Sequence, residues 1–308
     1  MLTAMLISLG LPTDRLPAHP ELTTVGAITS ISTRAETAGY HAVFVTDHPF
    51  PSQKYVTHGG HHSLDPFVTL SFAAAATTTL RVQTNLLILA YRNPFVTAHS
   101  IATLDVLSSG RTMIGVGAGY LEPEFNALGA PFATRGARTD EVLRGMLAAW
   151  SGEPVTMAGS DFTAIENVLQ PTPVQRPHPP LLIGGNSTAA IRRAVTYAQG
   201  WLPMPSPASA AKRLGTPGIE SLEQLGERIA IARRLADEAG HTEPLDIWFT
   251  PWALSGFGAQ QWDPSPLRDE LAALADLGVS GITVILPGTT VNEFTASLDR
   301  FADDIIHH

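Results

Sequence analysis

The sequence predicts an α/β fold, a (β/α)8 TIM barrel carrying insertion loops, on three observations. About eight short apolar runs alternate with amphipathic stretches of helical period, the pattern of parallel strands joined by helices. At 308 residues the chain suits one barrel, the main architecture that remains a single domain at this size, so one domain over 1–308 is expected. The loop after the first strand, "SLGLPTDRL", lacks the glycine fingerprint of a dinucleotide-binding open sheet, which is the competing arrangement.

The strand-like runs are "AMLISLG" (4–10), "HAVFVTD" (41–47), "VQTNLLILA" (82–90), "TMIGVGA" (112–118), "PLLIGG" (180–185), "GWLPM" (200–204), "LDIWFT" (245–250) and "GITVILP" (281–287). Between them lie "AITSISTRAETAGY", "FVTAHSIATLDVLSSG", "TDEVLRGMLAAW", "TAAIRRAVTYAQG", "LEQLGERIAIARRLADEAG" and "DELAALADLGVS". Several of these run into a glycine, the residue that most readily takes the left-handed conformation closing a helix. Two stretches break the alternation. Residues 48–66, "HPFPSQKYVTHGGHHSLDP", are rich in Gly, Pro and His and follow the second strand. Residues 151–180 read as a hairpin followed by a Pro-rich lead into the fifth strand. Loops that follow barrel strands build the active site, so the first insertion is a candidate lid or wall.

Composition narrows the function. Apolar residues make up 44% of the chain, enough for a substantial core. A formal net charge of -9, with Lys54 and Lys212 the only lysines, leaves no broad cationic footprint for a nucleic acid. The absence of cysteine removes disulfides, thiolate catalysis and cysteine-ligated metals, and fits a cytoplasmic protein. "MLTAMLISLGLP" has no basic leader and meets Gly10 and Pro12 too soon to span a bilayer, so no membrane association is expected.

Candidate chemistry sits at strand ends. In "MIGVGAGYLEPEF" (113–125) the fourth strand finishes in Gly117, Ala118 and Gly119, a main chain bare enough for a planar ring to lie against it or for tight packing at the rim. In "LLIGGNSTAAIRRA", Gly184 and Gly185 end the fifth strand, with Asn186, Ser187 and Thr188 where a helix begins. Free amides and hydroxyls there suit a phosphate, and Asn or Ser also serves as an ordinary cap. "VFVTDHPF" presents Asp47 and His48, the latter able to exchange a proton near neutral pH or to play a structural part. His58, His61 and His62 in "THGGHHS" lie on a Gly-Gly loop that enforces no ligand geometry, so no metal site is expected. Arg92 could hold an anion or tie down its loop. Of Tyr120, Glu122 and Glu124, one could face the pocket, although a helix start also favours acids.

Taken together these residues resemble the luciferase-like monooxygenase superfamily, and within it the deazaflavin-using branch common in actinobacteria. The likeness covers nearly the whole chain and is most specific over "RNPFVTAHSIATLDVLSSGRTMIGVGAGYLEPEFNALGAPFATRGARTDEVL" and "PTPVQRPHPPLLIGGNSTAAIRRAVTYAQGWLP". The resemblance implies a flavin or deazaflavin at the C-terminal mouth of the barrel and a non-prolyl cis peptide behind its central ring, matched here by Asn85 and Leu86. It implies that Gly117, Ala118, Gly119 and Tyr120 line the path of the coenzyme and that Gly184, Gly185, Asn186 and Ser187 receive its phosphate. "TDH" is similar to the "SDH" of deazaflavin-dependent dehydrogenases, which implies that Asp47 contacts the coenzyme and His48 removes a substrate proton. Where relatives that oxidise alcohols carry a Glu, this chain has Tyr120.

The implied function is hydride transfer between coenzyme F420, a deazaflavin, and a small organic substrate. The alternatives are an FMN-dependent monooxygenase using oxygen and a non-catalytic flavin- or deazaflavin-binding protein. Scarcity of lysine argues against a sugar phosphate as substrate. Relatives form dimers, so a homodimer is expected, with apolar faces such as "IATLDVL" able to serve as the contact.

Overall fold

The computed structural model describes residues 5–209, 211, 215–258 and 262–308; Ala4, at the start of the first predicted strand, and Lys212 lie outside them. The strands are β1 (Leu6–Gly10), β2 (Ala42–Val45), β3 (Arg81–Ile88), β4 (Thr112–Gly117), β5 (Val155–Ala158), β6 (Thr163–Asn167), β7 (Leu181–Gly184), β8 (Gly200–Leu202), β9 (Asp246–Phe249) and β10 (Gly281–Val284). Eight of them close a barrel in the order β1-β10-β9-β8-β7-β4-β3-β2. Every barrel pairing is parallel. Each predicted strand is present, and the hairpin expected within 151–180 is the antiparallel pair β5-β6.

Alternation along the strands makes two apolar layers. Ile7, Leu9, Val43, Val45, Val82, Ile114, Val116, Leu181, Ile183, Ile247, Phe249, Ile282 and Val284 face outward and pack under the helices in the main core. Ala42, Met113, Leu182, Leu202 and Trp248 form a smaller cluster inside the barrel, with Leu6 and Leu86 packed on it.

The helices are α1 (Val25–Thr37), α2 (Gln53–Thr57), α3 (Pro66–Ala76), α4 (Pro94–Leu107), α5 (Glu122–Ala127), α6 (Arg135–Trp150), α7 (Thr188–Tyr197), α8 (Leu222–Glu238), α9 (Ser265–Asp276) and α10 (Val291–Phe301). The periodic stretches named above correspond to α1, α4, α6, α7, α8 and α9. Helix α3 escapes a periodicity argument because "PFVTLSFAAAA" is apolar almost all round. Its signal is at the start, where Asp65 Oδ1 accepts from the Val68 N–H at 2.9 Å and Pro66 occupies the first turn.

"IATLDVL" is mostly committed to the chain's own core. Ile101, Ala102, Leu104 and Asp105 are buried, leaving Val106 and Leu107 at the surface. Asp105 accepts from the Val174 N–H at 2.7 Å and the Gln175 N–H at 3.0 Å, and so ties down the Pro-rich second insertion. Among the described residues no helix is long and apolar enough to cross a membrane.

Candidate active site

The C-terminal mouth of the barrel gathers the ends of β2, β3, β4 and β7. Asp47, two residues beyond β2, is 3% exposed. Its Oδ2 accepts from the Ile88 N–H at 3.0 Å, and both carboxylate oxygens accept from Arg92 Nη2 at 2.9 Å. The Tyr91 hydroxyl adds a longer bond at 3.4 Å. Burial pushes the Asp47 carboxyl up from its ordinary value, opposed by the Arg92 guanidinium and the Ile88 N–H. Burial, then the neighbouring Asp47 and Glu124 carboxylates, pushes the Tyr91 phenol upward, so it stays protonated. Arg92 therefore ties down the loop and neutralises Asp47. Asp47 in turn is occupied with locking the end of β3 to β2.

His48 lies in a different setting. Its Nδ1 is 3.4 Å from Glu124 Oε2, and its Nε2 is 3.4 Å from the Tyr55 hydroxyl. The side chains of His48 and Glu124 are 9% and 2% exposed. Glu124 Oε1 accepts from the Phe50 N–H at 3.1 Å, which fixes the carboxylate from its other side. Tyr55 continues to the Tyr120 hydroxyl at 3.3 Å. The His61 ring stands edge-on to that of His48, with centroids 4.9 Å apart. Burial lowers the His61 pKa, so His61 is a neutral wall beside His48.

The first insertion wraps this cluster. The His48 N–H donates to Ser63 Oγ at 2.9 Å, and Ser52 Oγ accepts from the Tyr55 N–H at the start of α2. A side chain at Gly60 would strike the Tyr55 ring, so the Gly-Gly loop is a seat for that ring. His58 is engaged elsewhere: its Nδ1 bonds to the Lys54 carbonyl at 2.7 Å. Among the described residues no His, Asp and Glu group is arranged to hold a metal.

On the facing side β3 is interrupted. The Asn85–Leu86 peptide is cis, as the resemblance implied, and the β3-β4 register shifts between Thr84 and Leu87. Both residues are half-buried. The bulge directs Leu86 into a cup of glycines. A Cβ at Gly184 would collide with the Leu86 methyls, one at Gly117 would stand 3.1 Å from Leu86 Cδ1, and one at Gly115 would stand 3.2 Å from Leu86 Cδ2. At Gly117 and Gly184 the bare backbone makes room for Leu86, which lies against both strand ends. Gly119 has φ +79°, and a Cβ there would meet Phe125 and Ile88 within 3 Å, so its bareness too serves packing. Ala118 is half-buried beside it.

At the end of β7 the polar side chains have partners within the protein. Asn186 is fully buried, and its carboxamide is spent on the Met204 N–H and carbonyl at 2.9 Å each, on Ser206 Oγ at 3.2 Å and on the Pro217 carbonyl at 2.9 Å. Asn186 is thus the clasp of the loop after β8, and its side chain is not available to a phosphate. Ser187 Oγ accepts from the Ala190 N–H at 3.1 Å and caps α7. Gly185, at φ +113°, has among the described residues only the Ala190 Cβ near the position of its missing side chain. Arg135 was not foreseen: its Nε donates to the Gly119 carbonyl at 3.2 Å, and its guanidinium lies 3.9 Å over the Phe132 ring.

Inside the barrel, Ser8 Oγ, Thr46 Oγ1 and both amide atoms of Gln83 are buried without a hydrogen-bond partner among the described residues. Ser8 pairs in register with Ala42, and Gln83 with Phe44, which places these polar groups on the inner face. Buried polar atoms require partners. Orphaned donors and acceptors on the inner face of the barrel fit a ligand whose ring edge carries both kinds of group, as a flavin or deazaflavin does.

Residues 7–253 match the family model described as luciferase-like monooxygenase. The chain belongs to that family. Among curated proteins it is 26% identical over 314 residues to an F420-dependent hydroxymycolic acid dehydrogenase of Mycobacterium tuberculosis, covering 96% of this chain and 79% of that one. A shorter match, 34% identical over 127 residues, joins 40% of this chain to 35% of an FMNH2-dependent dimethylsulfone monooxygenase of Pseudomonas putida. Among solved structures, monooxygenase RslO1 from Streptomyces bottropensis superposes with a TM-score of 0.81 at 21% identity, covering 99% of both chains. An F420-dependent secondary alcohol dehydrogenase bound to an F420-acetone adduct superposes at 0.72 with 20% identity and 98% coverage of both. At these identities the two structures speak for the fold. The relatives thus include proteins named for dependence on F420 and one named for dependence on FMNH2.

Proposed function

We propose that the protein is an oxidoreductase that binds coenzyme F420 at the C-terminal mouth and passes a hydride between it and a small organic substrate. The observation that carries the reading is the His48 imidazole, held by Glu124 on one nitrogen and by a tyrosine hydroxyl on the other, at the same mouth as the Leu86 floor. When bound, the deazaflavin supplies a two-electron hydride donor or acceptor that does not activate oxygen. What remains for the protein is orientation and the movement of one proton, and the His48 cluster is equipped for that.

In this reading Leu86 and Asn85 back the ring, while Thr46 and Gln83 offer hydrogen bonds to its edge. Gly117, Ala118, Gly119 and Tyr120 border its path. Gly185, Ser187 and the N-terminus of α7 face the anionic tail. Asp47 acts at one remove, by fixing the end of β3 on which the bulge rests. Glu124 supplies the carboxylate that the alcohol-oxidising relatives carry where this chain has Tyr120. The family model and the F420-dependent relative matched over nearly the whole chain support this choice. The cytoplasm as location and a homodimer as assembly are parts of the same proposal.

FMN with oxygen is the second reading, favoured by the local 34% match to the FMNH2-dependent monooxygenase. Anaerobic mixing with oxidised F420 and a panel of secondary alcohols, or with reduced F420 and the matching ketones, tests the first reading through the coenzyme absorbance. Oxygen uptake that depends on reduced FMN, with no turnover of F420, would replace the first reading by the second.

A further inference from the structure

Resting on the reading of the mouth as a deazaflavin site, we propose that the substrate's proton is exchanged by tyrosine, with His48 standing behind as its store. The geometry is a succession of polar contacts among the described residues. Glu124 Oε2 lies 3.4 Å from His48 Nδ1, His48 Nε2 lies 3.4 Å from the Tyr55 hydroxyl, and that hydroxyl lies 3.3 Å from the Tyr120 hydroxyl. Both imidazole nitrogens already face protein partners, and the imidazole is only 9% exposed. A substrate oxygen reaches His48 directly only by displacing Tyr55. Tyr55, however, is seated: its N–H is capped by Ser52, and its ring fills the space that a side chain at Gly60 would need.

In the proposed arrangement the imidazole donates from Nδ1 to Glu124 Oε2, which leaves Nε2 as acceptor. Tyr55 then donates to Nε2 and accepts from Tyr120. When an alcohol is oxidised, its carbon gives a hydride, with two electrons, to the deazaflavin, and its O–H bond breaks toward the Tyr120 oxygen. The Tyr120 proton moves to Tyr55, and the Tyr55 proton moves to His48 Nε2. The product is the carbonyl compound, both tyrosines are neutral again, and the imidazolium rests against the Glu124 carboxylate. Ketone reduction runs the same transfers backward. Tyr120 is the catalytic residue, Tyr55 carries the proton, and Glu124 is a positioning residue that sets the tautomer.

Two readouts test this, and one needs neither substrate nor coenzyme. Nitrogen-15 NMR of the full chain, with His48 identified by its absence in His48→Gln, reports which ring nitrogen holds the proton. The expected result is a proton on Nδ1 in the wild type, a mixture of tautomers in Glu124→Gln, and a displaced Nε2 resonance in Tyr55→Phe. An Nδ1 without a proton, or an Nε2 resonance indifferent to Tyr55→Phe, would overturn the proposal. The second readout is anaerobic reduction of oxidised F420 by cyclohexanol. Tyr55→Phe and Tyr120→Phe should each slow it by about 100-fold, the low end of general acid–base effects, and for Tyr55→Phe the F420 affinity should change by less than about twofold. Turnover of either variant within about threefold of the wild type would return the role of direct base to His48. Failure of the wild type to reduce F420 with any secondary alcohol would count against the oxidoreductase reading, while the tautomer measurement would still decide whether the chain is connected.

Discussion

The two sides of the barrel mouth are built from equally polar residues and do opposite things with them. On the β2 side, His48, Tyr55, Tyr120 and Glu124 meet through separations of 3.3 to 3.4 Å, long for hydrogen bonds and open to adjustment. On the β7 side, Asn186 makes bonds of 2.9 to 3.2 Å that leave its side chain nothing further to give. Loose contacts between titratable groups suit proton transfer, and tight contacts between amides suit a clasp. Polar residues at the end of a barrel strand are thus not alike, and their partners separate chemistry from scaffolding.

The sharpest way to break this contrast is Asp47→Ala, on the β2 side but tightly bonded like the β7 side. It leaves Arg92 partly buried and unpaired, so a loss of about 3–5 kcal/mol in unfolding stability is expected by urea denaturation. A loss below about 1 kcal/mol would mean that Asp47 is free for the coenzyme after all. Next in size is Gly184→Ala, which forces Leu86 out of its cup and should cost about 1–3 kcal/mol, together with weaker F420 binding. Adding Leu86→Ala should recover part of the stability but not the binding. Recovery of both would remove the leucine floor from the account.

Ser187→Ala should cost about 1 kcal/mol as a lost helix cap, and its effect on F420 affinity measures how far the hydroxyl also serves the anionic tail. Glu36→Gln, near the start of β3, is the control. Burial alone would raise the Glu36 pKa, but the N–H groups of Thr79, Leu80 and Thr78 outweigh it and bring it from about 4.5 down to about 2. A depressed carboxylate pKa stabilises the fold above the unfolded value and loses that contribution as pH falls. The wild type should therefore lose its advantage over Glu36→Gln between about pH 4.5 and about 2, with F420 binding at neutral pH unchanged. The comparison is made by thermal denaturation across that range.

Much of the barrel was legible because most strands are short apolar runs bounded by Gly, Pro or Asp, and such runs keep their meaning without neighbours. Asp47 and His48 were legible as polar residues at a strand end. The partners were not. Glu124 lies 76 residues from His48 and Tyr55 lies 65 from Tyr120, so only strand order brings them together. Glu124 was one of three candidates, and Tyr55 had no signal beyond its place in an insertion rich in histidine. The glycines were legible as bare positions, but not the leucine that packs on them, since a strand-end glycine says that something approaches and not what. Leu86 lies against Gly184 beside a register shift between β3 and β4, a feature that composition and periodicity do not announce.

The central claim is a deazaflavin resting on Leu86 beside the His48 cluster, and the measurement closest to it is a fluorescence titration of the purified protein with oxidised F420 and, separately, with FMN. The account expects F420 to bind one per chain with micromolar or tighter affinity, and more tightly than FMN. FMN binding well while F420 fails to bind under the same conditions would contradict it.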